Sequence, residues 1–293
     1  MDDAGGVVDL ADGRQLAYGE RGVPDGIPLI SLHGLPGGTH PTGFDPASLE
    51  AAGVRVITPA RPGFASSTRQ EGRTLLDWGR DVGELADKLG IDRFALAGAS
   101  AGGPSTMACS AVLGDRLGCV GLICALGPYF DNPQFDELLS ADLQVALPIV
   151  RDDPDATAPL IRAVMEPVCV AAADAEAYFD GPFLADVSEV DRPLYLQERA
   201  TMIRSLQHTY GNGVETLVDE LSATLGPWEF DLTTIVPPVR AWHGDADTVP
   251  FAPIQHVIDQ VPNGQMTIYP GEGHALSRDH HPDWLATLTA WAR

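Results

Sequence analysis

Ser100 is the side chain with the strongest claim to chemistry. It centres the run Gly98-Ala99-Ser100-Ala101-Gly102, which follows a strand-like apolar stretch at 94–97 and precedes a helix-compatible segment at 103–112. A serine on a tight turn between strand and helix presents its hydroxyl at the edge of a sheet, and only small neighbours fit where the two elements pack close. Four of the five positions here are Gly or Ala, apart from the serine itself. A helix N-terminus adds free N–H groups and a partial positive charge beside the hydroxyl. That hydroxyl becomes a useful nucleophile once a neutral imidazole accepts its proton and a carboxylate fixes the tautomer of the imidazole. Histidine, with a pKa near ~6.5, does this at neutral pH.

Candidates for both partners lie late in the chain. Gly271-Glu272-Gly273-His274 follows an apolar run at 266–269, and Trp242-His243-Gly244-Asp245-Ala246-Asp247 lies at the end of another at 239–242. Both are polar turns just past a strand, where open α/β sheets place their sites. His274 is the candidate base. Asp247 is the candidate acid. A fourth turn, His33-Gly34-Leu35-Pro36-Gly37-Gly38, follows the run at 28–32. Its backbone could face the serine from the other side and, with the Ala101 N–H, hold an oxyanion. Pro36 has no N–H, so Leu35 is the expected donor. One such donor is worth about 3 kcal/mol in the transition state.

These turns need a scaffold that brings them to one edge. Short apolar runs at 28–32, 54–58, 94–97, 119–125, 239–242 and 266–269 read as parallel strands covered on both faces. An Asp12-Gly13 turn makes a hairpin of residues 7–18. Between the strands, Leu75, Trp78, Val82, Leu85 and Leu89 form a helical stripe, as do Ile254, Val257, Ile258 and Val261, and finally Trp284, Leu288 and Trp291. Strand and helix in alternation predict a mostly parallel α/β sheet. From 129 to 229 the rhythm breaks: helical patterns punctuated by prolines replace strands, with 191–207 the longest expected helix. Such a stretch is too long for a loop. It predicts a helical cap at 129–229, inserted into a core of 1–128 and 230–293.

With these residues in place, the chain resembles the α/β-hydrolase fold superfamily over nearly its whole length. The resemblance rests on His33-Gly34 with Pro36-Gly37, Arg61-Pro62-Gly63-Phe64 before Ser66, Gly98 to Gly102, Gly244-x-x-Asp247 with Val249-Pro250, and Gly273-His274. It is nearest in pattern to capped members such as esterases, lipase-like hydrolases and proline iminopeptidases. The chain order serine, aspartate, histidine is that of the family, whose acid is the Asp three residues after the glycine, implying Asp247, with Asp245 as the fallback and Asp131 if the acid follows the preceding strand, as in some relatives. Proline iminopeptidases read His-Gly-Gly-Pro-Gly at the first turn, where this chain has Leu35, and use cap carboxylates for the substrate amine. Glu189, Glu198 and Glu220 lie in the cap. Dehalogenases and epoxide hydrolases of the fold use an aspartate nucleophile, against which Ser100 argues.

Composition narrows the partners. The net charge of −23, from 18 Lys+Arg against 41 Asp+Glu, opposes binding to nucleic acid or an anionic membrane. No apolar run reaches the ~18 residues of a membrane span, and the opening Met-Asp-Asp-Ala-Gly-Gly lacks the basic and apolar regions of a signal peptide. A cytoplasmic location is expected. Cys109, Cys119, Cys124 and Cys169 lack metal-ligand spacing and are expected to be reduced thiols. His40, His208, His243 and His256 show none either, and His280-His281 reads as a solvated pair before the last helix. No metal and no nucleotide cofactor is expected.

The expectation is therefore a serine hydrolase acting on a small, mostly apolar carboxylic ester through an acyl-enzyme. Ser100, His274 and Asp247 would be the triad, and Leu35 and Ala101 the oxyanion donors. Composition suggests Phe130, Leu143, Leu147, Met165 and Tyr195 as cap residues lining the pocket. Amide or carbon–carbon bond hydrolysis on the same triad, and non-catalytic ligand binding on the same fold, remain open here, as does the oligomeric state.

Overall fold

The computed structural model describes residues 4–40 and 44–292. Eight strands make one sheet: β1 (Ala4–Asp9), β2 (Gln15–Gly22), β3 (Ile27–Leu32), β4 (Val54–Pro59), β5 (Phe94–Ala99), β6 (Leu117–Ile123), β7 (Val239–Gly244) and β8 (Gly264–Tyr269). Their spatial order is β1-β2-β4-β3-β5-β6-β7-β8. β1 and β2 form the expected antiparallel hairpin, and β2 runs on to pair antiparallel with β4. That second pairing was hidden in the sequence because Glu20 and Arg21 interrupt the apolar pattern of an outer strand. From β4 to β8 every pairing is parallel.

Helices cover both faces, which is why the central strands are apolar almost without interruption. The core helices are α1 (Pro46–Ala52), α2 (Leu75–Lys88), α3 (Gly102–Leu113) and, after a long excursion, α11 (Ala252–Gln260) and α12 (His281–Thr289). Successive strand residues point to opposite layers. Ile30, Leu32 and Leu96 meet Trp78, Val82 and Leu85 of α2 and Met107 of α3. Leu29, Ala95 and Ala97 meet Leu49 of α1 and Trp284, Leu285 and Leu288 of α12. The start of α2 is set by a capping box: Thr74 Oγ1 accepts from the Asp77 N–H at 3.1 Å, and the Asp77 carboxylate accepts from the Thr74 N–H at 2.9 Å.

The excursion between β6 and β7 carries α4 (Ala141–Asp152), α5 (Thr157–Ala171), α6 (Ala175–Tyr178), α7 (Leu184–Asp186), α8 (Arg192–Gln197), α9 (Arg199–Tyr210) and α10 (Val214–Leu225), with no strand among the described residues. The single helix expected at 191–207 is two helices, broken at Glu198, whose φ of −92° and ψ of 11° leave the helical region. Periodicity misses this break because the apolar stripe, Tyr195 then Met202, runs across it. Pro148 and Pro167 lie inside α4 and α5 rather than ending them. No single helix among the described residues is long and apolar enough to cross a membrane.

A buried ion cluster ties the excursion to the sheet. Glu220 of α10 accepts from Arg61 Nη1 at 2.6 Å, from Arg73 Nη2 and from Thr224 Oγ1 at 3.0 Å. Burial alone would raise the Glu220 carboxyl, but the two guanidinium groups hold it below the usual range. Removing one member of such a cluster leaves an uncompensated buried charge, at a cost of about 3–5 kcal/mol.

Candidate active site

The nucleophile turn is built by close packing. Ser100 has φ of 53°, a conformation unfavourable for a side chain with a Cβ. It is held there by three backbone hydrogen bonds: its N–H donates to Ile123 O at 3.0 Å, and its carbonyl accepts from Gly103 and Leu126 at 2.9 Å each. The flanking glycines are required sterically. A Cβ on Gly98 would run into the Thr106 side chain and lie 2.7 Å from Gly102 O, and one on Gly102 would meet the carbonyls of Leu32 and His33. Ala101 caps α3 without a side-chain hydrogen bond, so the helix end remains open beside the serine.

The opposing turn lies against Ser100. A Cβ added to Gly34 would stand 3.0 Å from Ser100 Cβ and 3.6 Å from its Oγ. Among the described residues, neither the Leu35 nor the Ala101 N–H donates to a protein acceptor. Both remain available to a ligand. His33 braces this turn. Burial, and secondarily Arg61, pushes its pKa well below the usual range, so the ring is neutral. Its Nδ1 faces Gly34 O at 2.8 Å and its Nε2 faces the Arg61 N–H at 3.4 Å, which assigns the proton to Nδ1. Thr209 of α9 clasps the same turn, accepting from the Gly37 N–H at 2.8 Å and donating to Gly37 O at 3.1 Å.

The three candidate acids separate cleanly. His274 Nδ1 lies 2.9 Å and 3.0 Å from the two carboxylate oxygens of Asp247, whose side chain is fully buried. Asp245 is exposed and accepts from the Gly271 N–H at 2.6 Å, tying the turns after β7 and β8 together. Asp131, also exposed, accepts from the Trp228 N–H at 3.3 Å. Asp247 further accepts from the Val249 N–H at 2.8 Å and approaches His243 Nε2 at 3.1 Å. Burial would raise its pKa, yet the hydrogen bonds from His243 and His274 hold it well below the usual carboxylate range. With Nδ1 committed to Asp247, His274 keeps Nε2 for proton transfer.

Three groups around this pair escaped the sequence reading. His243 Nε2 also faces Val249 O at 2.8 Å, so the ring carries its proton there and donates toward the Asp247 loop. Cys124, at φ of 44° after β6, places its thiol with His243 and Asp247 so that one ligand atom of each lies within 4.8 Å of the others. Among the described residues, these three could hold a metal ion. Burial pushes the Cys124 thiol far up, however, and the other two are hydrogen-bonded to each other, so an ion would have to displace the contacts that orient His274. The third group is Asp191, from the excursion. Its carboxylate accepts from the His274 N–H at 3.0 Å, the Ala275 N–H at 2.9 Å and Ser188 Oγ at 2.7 Å. It approaches so near that a Cβ on Gly273 would collide with it. Asp191 lies 83 residues from His274 in the chain and outside every motif, which is why nothing in the sequence marks it. Asp191→Asn, which removes one acceptor oxygen, should lower kcat on p-nitrophenyl acetate about tenfold with little change in KM, because the loop carrying His274 loosens. A kcat equal to wild type would deny Asp191 this role.

Ser100, Leu35, His274 and Ile123 open onto one cavity of about 240 Å3. The excursion closes it with Phe183, Leu194, Tyr195 and Met202. Of the five cap residues expected there, Tyr195 alone is in the lining. Phe130 and Leu147 instead pack with Tyr129 and Val150, and Met165 packs with Phe64, Leu217 and Leu35. Leu143 is half-buried on α4, away from the lining. Composition could not distinguish the helices facing the serine, α8 and α9, from those covering other ground. The pair expected to be solvated is not: His281 is buried, and His280 stacks on Tyr269 with ring centroids 3.7 Å apart and reaches Glu272 at 2.6 Å.

The arrangement can perform acyl transfer. Comparison with known proteins agrees in kind. The model of the alpha/beta hydrolase family matches residues 29–288. The chain is 27% identical to the uncharacterized hydrolase YcgS of Bacillus subtilis over 47% of its own length, spanning about half (48%) of that relative. A bromoperoxidase from Bacillus anthracis superposes with a TM-score of 0.69 at 22% identity, covering 99% of both chains. An enol-lactonase from Burkholderia xenovorans LB400 gives 0.69 at 19% identity, covering 98% of this chain and 99% of that one. At such identities the structural likeness establishes the fold.

Proposed function

Because the chain belongs to the alpha/beta hydrolase family, we propose that it is a serine hydrolase cleaving small, mostly apolar carboxylic esters through an acyl-enzyme. The observation that carries this reading is the hydrogen bonding of His274 Nδ1 to the buried Asp247, on a histidine that shares a cavity with Ser100. In this mechanism Ser100 Oγ attacks the ester carbonyl carbon while His274 Nε2 takes its proton. The Leu35 and Ala101 N–H groups hold the oxyanion. The tetrahedral species collapses, the alcohol leaves with the proton from His274, and the acyl group stays on Ser100. Water, deprotonated by the same nitrogen, then attacks the acyl carbon and Ser100 recovers its proton. Asp247 stabilises the imidazolium in both halves.

The cavity lies below the roughly 300–1,000 Å3 of drug-sized sites, which favours small substrates, and Ile123, Leu194 and Met202 favour apolar ones. Segment 129–229 acts as a cap on a core of 1–128 and 230–293. The enzyme works in the cytoplasm on a free small molecule, without a nucleic-acid or membrane partner. The aminopeptidase alternative has less support. Glu220 is occupied by two arginines, Glu189 is exposed, and Glu198 at the cavity mouth is paired with Arg278, so none is left for a substrate amine.

The test is labelling with a small fluorophosphonate, the modified peptide being mapped by mass spectrometry. Rapid modification at Ser100 that collapses in His274→Ala is expected. An unlabelled wild type that also leaves p-nitrophenyl acetate intact would overturn the hydrolase reading in favour of ligand binding.

A further inference from the structure

The cavity at Ser100 does not stop at the nucleophile. Its lining includes Ser31 and Ala97, paired residues of β3 and β5, together with Phe44, Trp284 and His281. Ser31 lies between Ile30 and Leu32, which face α2 and α3, so strand alternation turns its side chain toward the α1 and α12 layer. Arg21, Asp45 and Pro46 border this end of the cavity, and within it two polar groups have no protein partner among the described residues. The Ser31 hydroxyl, on a residue 8% exposed, has no hydrogen-bond partner among the described residues. His281 is 2% exposed. Its Nδ1 is engaged by Asp45, 3.3 Å from the backbone N–H and 3.4 Å from Oδ2, and its ring stands 5.8 Å from Phe44 and 5.3 Å from Trp284 between centroids. His281 Nε2 has no partner among the described residues.

Two polar groups on the cavity wall without protein partners can be met only by water or by a ligand oxygen. The alcohol of an ester leaves first, whereas the acyl group stays on Ser100 until water attacks it. A polar anchor for the acyl portion therefore acts through both halves of the reaction. We propose that Ser31 and His281 form a subsite for a keto or hydroxyl oxygen carried on the acyl chain beyond the ester carbonyl, so that the preferred substrates are esters of oxo- or hydroxy-acids. This rests on the serine-hydrolase reading above. The Ser31 hydroxyl both donates and accepts, so it serves either oxygen.

The experiment compares kcat/KM for two matched pairs of p-nitrophenyl esters: 4-oxopentanoate against 4-methylpentanoate, and 5-oxohexanoate against 5-methylhexanoate. Within each pair a keto oxygen replaces a methyl group of similar size. Wild type should prefer the keto ester of at least one pair by about tenfold, the scale of one buried hydrogen bond. Ser31→Ala and His281→Phe should each bring that ratio toward one. A merely structural role would move both esters of a pair in parallel and leave the ratio alone. A wild-type ratio near one in both pairs, as expected if the groups only bind water, overturns the subsite while leaving ester hydrolysis standing. A preference that survives in both variants also overturns it. Failure to hydrolyse any of the four esters, with Ser100 unlabelled by fluorophosphonate, overturns the hydrolase reading itself.

Discussion

Ser100→Ala should remove turnover of p-nitrophenyl acetate almost completely, lowering kcat by roughly 10⁶. The turn sets this side chain beside the Gly34 backbone, and in the proposed mechanism there is no acyl-enzyme without Oγ. The oxyanion donors survive the change, so a residual rate about 10³-fold above water is expected. The folded state should be little affected, because alanine meets the same positive φ that serine does and the backbone bonds to Ile123, Gly103 and Leu126 do not involve the side chain. Steady-state kinetics with a thermal melt on the same preparation checks this. A variant that melts like wild type and keeps more than a few per cent of its rate would remove Ser100 from the mechanism.

Asp247→Asn should cost about 10⁴ in kcat. The carboxylate receives His274 Nδ1, His243 Nε2 and the Val249 N–H. An amide has only one acceptor oxygen to meet them, so one ring loses its partner and His274 is free to adopt the wrong tautomer. The same contacts give a pH signature. The Asp247 pKa is depressed in the folded protein, so its ionised form adds stability that is present above the unfolded value of ~3.9 and is lost as pH falls through the folded value. The variant should therefore melt below wild type at pH 7, and the gap should narrow below about pH 4. Equal melting temperatures at pH 7, or a kcat within tenfold of wild type, would show that the carboxylate does not orient His274.

Much of this site was legible because its chemistry is local. Gly98 to Gly102 announces a strained turn, since only residues that small allow α3 to pack on β5 and β3. The turns after β7 and β8 could be placed because apolar runs mark strand ends and parallel sheets gather their loops at one edge. The choice among Asp131, Asp245 and Asp247 was different in kind. All three lie after strands, and only the folded geometry shows which carboxylate is buried against His274 and which two face solvent.

What the sequence by itself determined is the layered sheet and the candidate nucleophile, base and oxyanion turn, because each depends on residue types within a few positions of one another. What the tertiary structure alone decided are the contacts between segments far apart in the chain. Asp191 reaches the His274 loop, Glu220 joins Arg61 to Arg73, and α8 and α9 rather than α4 and α5 face the serine. Those outcomes depend on how helices of similar composition pack in three dimensions, and an apolar stripe says that a face is buried without saying against what.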